Sequence, residues 1–488
     1  MRSLRVLLTL LLAGAPAFAE PGFGMFQVYS GMDEAAGYVG CADDLKEAAD
    51  AGFSLVMHYP PERARYTGLA EWLTSHPDEA TLRDAAALVF PDDPELAFQT
   101  WFWTSYLREV ARQGGGKVKA LVGPLWGHFV DAKSGVRAPQ VQRFVQELCA
   151  FEKSQSVELI AGWYLDEEPL AERNQHDPAK AKPLVEAIRV GETAAAATPH
   201  RIWVGEAPSR PPKAVGAFLA VADALIVVQD PFLWSVDPAA RVEEPQFERI
   251  PHSLRLAREI AKAVKNEKLE VHLALQAFDW ADDDLVQPSR LDMHQQLRYA
   301  MGNGLADLGA YAGKPAWGDP PAGIWLFWWS DCKSERKGDK AYQLNRWDDP
   351  AGVMWKEACD SERSGEAGAV HVTRDETWSG ALLLVGDVIV HKGATLTIQP
   401  GAMVRVAPVD HFQGGKDKKH VEIVVQGTLV VKGNEQMKIV FRCDTLDPKL
   451  NAKPRKPQKG DWYGFRLEAG GKIDRNKYLY LNDATKVD

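Results

Sequence analysis

The chain has 488 residues, of which 45% are apolar and 25% are charged, and this composition of a folded protein excludes general disorder. Its 57 Lys and Arg are outnumbered by 67 Asp and Glu, and the formal net charge of −10, without a block of basic residues, argues against nucleic-acid binding. The length allows roughly two to four domains, or one large barrel with an addition. The 16 Trp exceed the 12 Tyr, and indole rings either fill a large core or stack on ligands.

The N-terminus predicts an export signal. Met1–Ala19 places two arginines before the apolar run Val6–Leu12, and the segment ends in Ala17-Phe18-Ala19, the small-x-small pattern that signal peptidase cleaves. The run is too short to span a bilayer, and no later stretch reaches about 18 uninterrupted apolar residues. We therefore expect an exported protein, periplasmic or extracellular, without a transmembrane segment. A buried N-terminal helix is the alternative interpretation.

Between residues 20 and 362, short apolar runs alternate with amphipathic helical patterns. Runs that are apolar on both faces are typical of parallel strands covered on both sides. The eight runs are Phe23–Tyr29, Phe53–Tyr59, Val118–Leu125, Leu159–Leu165, Arg201–Gly205, Ala224–Gln229, Val271–Ala277 and Ile324–Trp329. Eight strand–helix units predict an α/β fold, a (β/α)₈ (TIM) barrel. A doubly wound sheet is less favoured, because no glycine-rich phosphate turn follows an early strand.

A change in composition after Cys359 predicts a second, all-β domain at residues 363–488. The sequence SERSGEAG at 361–368 is typical of a linker, and helical periodicity stops beyond it. The following β-branched runs are too short to form a sheet alone, but as stacked coils they can bury a continuous core. The phrases GATLTIQPGAMVRV, EIVVQGTLVVKGN and WYGFRL resemble the opening coils of right-handed parallel β-helix repeat proteins. Such families usually have more coils, so we expect a truncated chain or a last coil covered by something else.

The five cysteines, at positions 41, 149, 332, 359 and 443, are widely spaced and include no C-x-x-C pair. This pattern predicts neither a disulfide-rich scaffold nor a zinc site. The nearest pair is Cys332 with Cys359, and an odd number of cysteines leaves at least one thiol free.

Three acidic residues follow the fourth apolar run, in the segment Gly162–Pro169 (GWYLDEEP). In a (β/α)₈ barrel the reacting groups lie at the carboxyl ends of the strands. Adjacent carboxylates resist joint ionisation, so one of Asp166, Glu167 and Glu168 can acquire the raised pKa that a general acid needs. The same acids would also suit a solvated loop before the next helix, because carboxylates are favourable at a helix N-terminus.

The segment GWYLDEEP resembles the fourth-strand signature Trp-Tyr-Leu-x-Asp-Glu-Pro of barrel glycoside hydrolases and their relatives. The phrases ALIVVQDPF, LALQAFDW and GIWLFWWSD extend this resemblance over roughly residues 155–331. In such families the glutamate before the proline protonates the leaving glycosidic oxygen, and that role maps to Glu168. The preceding family acid maps to Glu167, or to Asp166 if the frame shifts by one residue. The resemblance implies a polysaccharide or another glycan as partner, and no cofactor.

The sequence departs from this family at the seventh strand. Retaining enzymes of the large barrel clan carry a nucleophilic glutamate there, whereas this strand ends in LQAFDW. Asp279 could be the nucleophile in a shifted frame, or Glu206 or Asp230 could be the base of an inverting reaction. Alternatively, a substrate acetamido group could attack its own anomeric carbon, oriented by the first two acids of the DEE cluster. The fourth possibility is a barrel that has lost catalysis and only binds.

Aromatic and polar residues at the strand ends complete the candidate sugar site. Indole packs on the C–H faces of a sugar ring, while the sugar hydroxyls need carboxylate and amide partners. The candidate substrate-binding residues are Tyr29, His58, Trp163, Tyr164, Glu206, Trp234, Gln276, Trp280 and Trp329. Trp203 lies inside a predicted strand, and this position favours a role in the core.

Other chemistries find less support in the sequence, which contains no G-x-S-x-G nucleophile elbow and no H-E-x-x-H zinc helix. His58 and His128 could join Asp230 as metal ligands, but the paired H-x-H spacing is missing. We therefore expect an exported glycoside hydrolase that acts without metal or cofactor. The alternative is a non-catalytic carbohydrate-binding or cell-surface interaction protein on a degenerate barrel.

Overall fold

The structure is a computed structural model. It describes residues 22–27, 45–46, 49–50, 53–58, 73–75, 77–167, 176–206, 212–229, 249–276, 290–301, 322–327, 369–446 and 454–487. The predicted signal peptide, the linker and the Cys332–Cys359 pair lie outside these residues. Cys149 and Cys443 are buried free thiols.

Eight parallel strands close into a barrel. Between Gly22 and Phe327 the strands are β1 (Gly22–Gln27), β2 (Leu55–His58), β3 (Lys119–Val122), β4 (Val130–Asp131), β5 (Gly135–Val136), β6 (Ile160–Glu167), β7 (Arg201–Glu206), β8 (Ala224–Gln229), β9 (Glu270–Gln276) and β10 (Gly323–Phe327). Around the barrel the order is β1-β10-β9-β8-β7-β6-β3-β2, while β4 and β5 form a small separate hairpin. Every barrel strand overlaps one of the eight apolar runs, which confirms the predicted (β/α)₈ barrel.

Helices cover the outside of the barrel. They are α1 (Pro77–Val89), α2 (Pro94–Gln113), α3 (Trp126–Phe129), α4 (Ala138–Gln155), α5 (Ala181–Ala194), α6 (Pro212–Leu219), α7 (Arg249–Ala263) and α8 (Arg290–Met301). Local sequence sets their ends: α2 begins with Pro94, and the Asp93 carboxylate accepts a hydrogen bond from the Leu96 amide at 3.2 Å. At the end of α4, Ser156 adopts a left-handed conformation with φ of 58°.

Side chains from alternate strand positions fill the barrel interior. This inner cluster consists of Met57, Leu121, Tyr164, Trp203, Ala224, Ile226, Ala274 and Trp325. The rings of Trp203 and Trp325 meet edge to face with centroids 5.8 Å apart, and Trp203 packs on His272 at 4.6 Å. Burial lowers the pKa of His272, so the barrel interior holds a neutral imidazole. Trp203 is therefore a core residue, in agreement with its position inside the predicted strand.

Gly162 of β6 faces a tightly filled part of this interior. A Cβ atom at this position would collide with the Trp203 indole nitrogen and with the carbonyl oxygen of Arg201. We expect Gly162→Ala to lower the free energy of unfolding by about 2 kcal/mol, because overpacked cores relax only with strain. Thermal unfolding measures this change, and Gly127→Ala is the matched control because no atom lies within 4 Å of its Cβ position. Equal melting temperatures for the two variants would contradict the packing described here.

The C-terminal part consists of short parallel strands. These are β11 (Val370–Val372), β12 (Glu376–Trp378), β13 (Ala381–Leu384), β14 (Val388–Val390), β15 (Thr395–Ile398), β16 (Met403–Val406), β17 (Glu422–Val425), β18 (Thr428–Val431), β19 (Ile439–Cys443), β20 (Trp462–Leu467), β21 (Lys472–Arg475), β22 (Leu479–Leu481) and β23 (Ala484–Val487). Each strand pairs with the strand three places further along, giving the sheets β11-β14-β17-β20-β23, β12-β15-β18-β21 and β13-β16-β19-β22. This is the topology of a parallel β-helix with three strands in each coil, as predicted from the glycine-punctuated runs.

The last barrel helix, α8, packs against the β-helix through buried polar contacts. The Gln295 side chain donates to the Leu383 carbonyl and accepts from the Val385 amide, both at 2.9 Å. The Tyr299 hydroxyl lies 2.6 Å from Nδ1 of His411. The residues of all five groups are buried, and a broken buried hydrogen bond leaves a desolvated group unsatisfied. The contact is therefore a specific interface and not a loose apposition.

Candidate functional site

The fourth barrel strand, β6, is irregular at the acidic cluster. Tyr164 lies opposite Trp203 of β7, and Glu167 lies opposite Gly205. Three residue steps on β6 thus match two steps on β7, which is a β-bulge. Bulges next to active sites commonly redirect side chains. Here the bulge interrupts the alternation of inner and outer positions at Asp166 and Glu167.

An imidazole holds the Asp166 carboxylate at this strand end. Oδ2 of Asp166 is in hydrogen-bond contact with Nε2 of His176. The imidazole stacks on Trp126 of α3 with ring centroids 4.8 Å apart, and Trp126 in turn packs on Phe218 of α6 at 5.2 Å. Asp166 and His176 retain some solvent contact, with side chains 14% and 16% exposed. Aromatic residues from two neighbouring units therefore anchor a carboxylate–imidazole pair that can hold and transfer a proton.

No motif in the sequence points to His176. This residue follows Asp166 by ten positions in a polar stretch without periodicity, so no pattern connects the two. The available signal was a histidine in the loop that follows an acidic strand end, which is too common to be specific.

Trp163 lies on the outer side of β6 and not in the barrel mouth. Its indole nitrogen donates a 2.8 Å hydrogen bond to Glu192 of α5, and its ring packs on His200 at 5.7 Å. The side chain is fully buried between the strand and the helical layer. The structure therefore gives Trp163 a packing role in place of the predicted contact with substrate.

His58 is corrected in the same way. The ring of His58 meets Phe102 and Tyr106 of α2 edge to face, at 5.1 and 5.2 Å. Its neighbour Met57 belongs to the inner cluster, so alternation places His58 on the helix-facing side. Because the side chain is 0% exposed, it supports the strand–helix packing and does not reach a ligand in the mouth.

Glu206 and Tyr164 are both buried, but on opposite sides of the barrel wall. Glu206, the last residue of β7, has the strand parity of Ile202 and Val204, which pack in the outer core. Its 3% exposure argues against direct contact with a ligand in the mouth. Tyr164 belongs to the inner cluster and is fully buried, so it forms part of the packed interior beneath the mouth.

The remaining candidate residues are described only by their backbone or lie outside the described residues. Glu167 and Gln276 are the last residues of β6 and β9. The candidates outside the described residues are Tyr29, Glu168, Asp230, Trp234, Asp279, Trp280 and Trp329. Their roles stay predictions. Within the described ranges, no group of three or more His, Cys, Asp or Glu side chains is arranged to hold a metal ion.

A charged network joins α4 and α5 to the starts of β6 and β7. His200 lies between two carboxylates, with Nδ1 3.0 Å from Glu192 and Nε2 3.0 Å from Glu152. Burial opposes the charge on His200, but hydrogen bonds with Cys149, Glu152 and Glu192 raise its pKa to about 11. Arg189 donates to Glu192 at 2.8 Å. Since the N-terminal ends of barrel strands serve stability, this network is structural and not catalytic.

A second pair of perturbed carboxyls lies in the β-helix. Burial and the charge of Asp410 raise the pKa of Asp387 to about 9, and burial also raises the pKa of Asp410. Asp387 accepts a 2.7 Å hydrogen bond from the Glu422 amide, and Asp410 accepts one of 2.9 Å from the Phe412 amide. Asp387 therefore keeps its proton at neutral pH, because burial and the neighbouring carboxylate both disfavour its ionised form.

This pair makes the stability of the β-helix dependent on pH. Folded Asp387 keeps its proton up to about pH 9, whereas an unfolded aspartic acid loses it near 3.8, so stability falls as the pH rises between these values. In Asp410→Asn the amide oxygen can still accept from the Phe412 amide, and the charge that opposes ionisation of Asp387 is removed. We expect this variant to be more stable than wild type by about 1–3 kcal/mol at pH near 8.

Thermal unfolding at about pH 5 and about pH 8 measures this effect, since the variant should show a shallower downward slope: the charge of Asp410 is gone, while the burial of Asp387 remains. Asp474→Asn is the control, because Asp474 forms only a partly exposed ion pair with Lys432. A variant that keeps the wild-type slope would show that the charge of Asp410 does not raise the pKa of Asp387.

No protein-family model and no curated protein sequence matches this chain. Solved structures with a similar fold include a GH5_18 protein from Streptomyces cattleya in complex with GlcNAc, at 12% identity, TM-score 0.41 and coverage of 75% of this chain and 85% of that chain. Another is the endoglucanase Cel5A of Pseudomonas stutzeri, at 15% identity, TM-score 0.39 and coverage of 68% and 93%. A tryptophan synthase from M. tuberculosis is also similar, at 10% identity, TM-score 0.30 and coverage of 63% and 83%.

The similar structures thus include glycoside hydrolases and an enzyme of a different kind. Among the helices in the described ranges, none is both long and apolar enough to cross a lipid bilayer.

Proposed function

We propose that this chain is an exported glycoside hydrolase whose general acid is Glu168. The observation that carries the proposal is the end of β6, where the strand ends within the acidic sequence DEEP and Asp166 is held by His176. A carboxyl group becomes a useful general acid when neighbouring charge raises its pKa toward the working pH. Glu168 directly follows two other acids, and their negative charge favours its protonated form over its ionised form.

The His176 contact supports separate roles for the three neighbouring acids. The imidazole bound to Asp166 keeps that carboxylate in one orientation. Glu168 is then the residue that delivers a proton to the glycosidic oxygen, while Asp166 and Glu167 tune it or orient an acetamido group of the substrate. Asp230 or Asp279 supplies the second carboxylate, as nucleophile or as base for water.

Glycan binding without hydrolysis is the second candidate function. The observation that favours it is Gln276, which ends β9 where retaining barrel enzymes carry a nucleophilic glutamate. A packed barrel with acids and indoles at its strand ends can bind a glycan without cleaving it, since both roles use the same contacts.

The experiment that separates the two functions is incubation of the full chain with a broad panel of glycans, including oligosaccharides with and without acetamido groups. Proton NMR follows the anomeric signals of the products, and calorimetry follows binding of the same glycans. Cleavage supports hydrolysis, and the first anomer formed separates inversion from retention. Tight binding without any new reducing end would support the binding function and overturn the proposed hydrolysis.

A further inference from the structure

The β-helix carries a groove of its own, at the edge where successive coils turn from the first sheet into the second. The groove has a volume of about 540 Å³ and is lined by Lys392, Lys416, Gln426, Leu467, Glu468 and Ala469. Equivalent positions in successive coils repeat roughly every 4.8 Å, because neighbouring strands are spaced by that distance. The groove thus follows the stacking direction of the coils over three consecutive turns.

Backbone hydrogen bonds to the preceding coil make the walls of this groove rigid. The Gln426 amide donates to the Val390 carbonyl at 2.9 Å, and the Glu468 amide donates to the Val425 carbonyl at 3.0 Å. Groups that are held in place before a ligand arrives lose little conformational entropy on binding.

The two lysines of the groove differ in their ionic partners. Lys416 pairs with Glu468 at 2.6 Å, and the same carboxylate accepts a 3.0 Å hydrogen bond from the Gln426 side chain. The hydrogen bond from Lys416 lowers the pKa of Glu468, which keeps that carboxylate ionised and occupied. The ammonium group of Lys392 has no hydrogen bond or ion pair within the described part of the chain. One positive charge therefore remains available to a ligand.

The apolar part of the lining points to the class of ligand. Leu467 is 40% exposed beside the two lysines and Gln426, although it is a large aliphatic residue. A small inorganic anion would use the ammonium groups only, whereas a sugar ring with an acidic substituent would also cover the leucine with its C–H face and reach the amide with its hydroxyls.

We propose that this groove binds an anionic glycan, a saccharide chain bearing carboxylate or sulfate groups. Lys392 binds the acidic substituent, Gln426 binds a hydroxyl group, and Leu467 packs on a ring face. The whole chain has a net charge of −10, so general attraction to a polyanion is opposed and binding needs a local site. The proposal concerns the β-helix alone and does not depend on hydrolysis in the barrel.

The test is electrophoresis of the full chain in native gels that contain polygalacturonate, dextran sulfate or neutral dextran. We expect retardation by at least one polyanion and none by neutral dextran; polygalacturonate identifies carboxylate as the recognised group, and dextran sulfate identifies sulfate. Lys392→Gln should weaken binding by about tenfold, since it removes a charge-assisted hydrogen bond. Leu467→Ser should also weaken glycan binding. Inorganic phosphate should compete only poorly with the glycan for the wild-type protein.

Lys477→Gln is the matched control, because Lys477 is an exposed lysine of the same domain whose ammonium group lies 5.0 Å from the ring centroid of Tyr478, away from the groove lining. Lys392 lies in an exposed turn, so its substitution should leave the thermal transition unchanged, and this is measured in parallel. Lack of retardation by both polyanions, equal retardation by neutral dextran, or equal losses for Lys392→Gln and Lys477→Gln would each overturn the proposal.

Discussion

Glu168→Gln is expected to reduce kcat for glycoside hydrolysis by at least about 100-fold, because positioned general acids contribute roughly that factor or more. Glutamine keeps the size of the side chain and can still bind a hydroxyl group, but it cannot deliver a proton to the leaving oxygen. Substrate affinity should therefore change little while turnover is lost. The measurement is steady-state kinetics on whichever glycan the panel identifies.

The leaving group gives this prediction a second readout. An aryl glycoside with an acidic phenol needs little protonation in the transition state, so Glu168→Gln should lose much less activity on it than on a natural glycan. Glu186→Gln is the control, since Glu186 is exposed on the surface of α5 and pairs only loosely with Lys182. Equal losses on both kinds of substrate would mean that Glu168 is not the acid.

Glu192→Gln is expected to destabilise the barrel by about 3 kcal/mol or more, because it leaves buried cationic partners without their counter-charge. The Glu192 side chain is 1% exposed. It accepts hydrogen bonds from the Trp163 indole at 2.8 Å, from the His200 amide at 2.7 Å and from Arg189. Glutamine can accept only some of these hydrogen bonds, and its NH₂ group would lie opposite one of the groups that donate them.

The same residue makes barrel stability fall in acid. Burial alone would raise the pKa of Glu192, but hydrogen bonds from His200, Trp163 and Arg189 outweigh it and lower the pKa to about 2. In the unfolded chain the carboxyl titrates near 4.5, so its contribution is complete above that pH and is lost as the pH falls toward 2.

Thermal unfolding between about pH 3 and about pH 7 should therefore show a steeper acid limb for wild type than for Glu192→Gln. Glu186→Gln, on the same helix, should behave as wild type because exposed ion pairs contribute little. A melting temperature for Glu192→Gln equal to that of the control would show that the network does not hold the two strands together.

The strands and helices could be predicted well from the sequence, because each produces a periodic pattern of apolar residues within a short stretch of chain. Runs such as Ala224–Gln229 are apolar on both faces, which only a strand covered on both sides requires, and each became a barrel strand. The coils of the β-helix were equally visible, since glycine and β-branched residues recur at each turn and strand.

The faces of individual side chains could not be predicted in this way. Trp163 and His58 stand at or near strand ends, where a barrel enzyme binds its ligand, yet both pack against helices. Which face a residue takes depends on the register with the neighbouring strand and on bulges, and the bulge after Tyr164 is a property of the β6–β7 pair, not of β6 alone.

The amino-acid sequence by itself determined the barrel, the β-helix and the acidic strand end, because each of these follows from local periodicity or from a contiguous motif. Only the tertiary structure decided that His176 holds Asp166, that His200 bridges Glu152 and Glu192, and that Gln295 ties the last barrel helix to the β-helix. These contacts join residues brought together by chain folding, and no spacing along the sequence encodes them. The physical reason is that hydrogen bonds and ion pairs depend on distance in space, whereas periodicity records only the burial of one face.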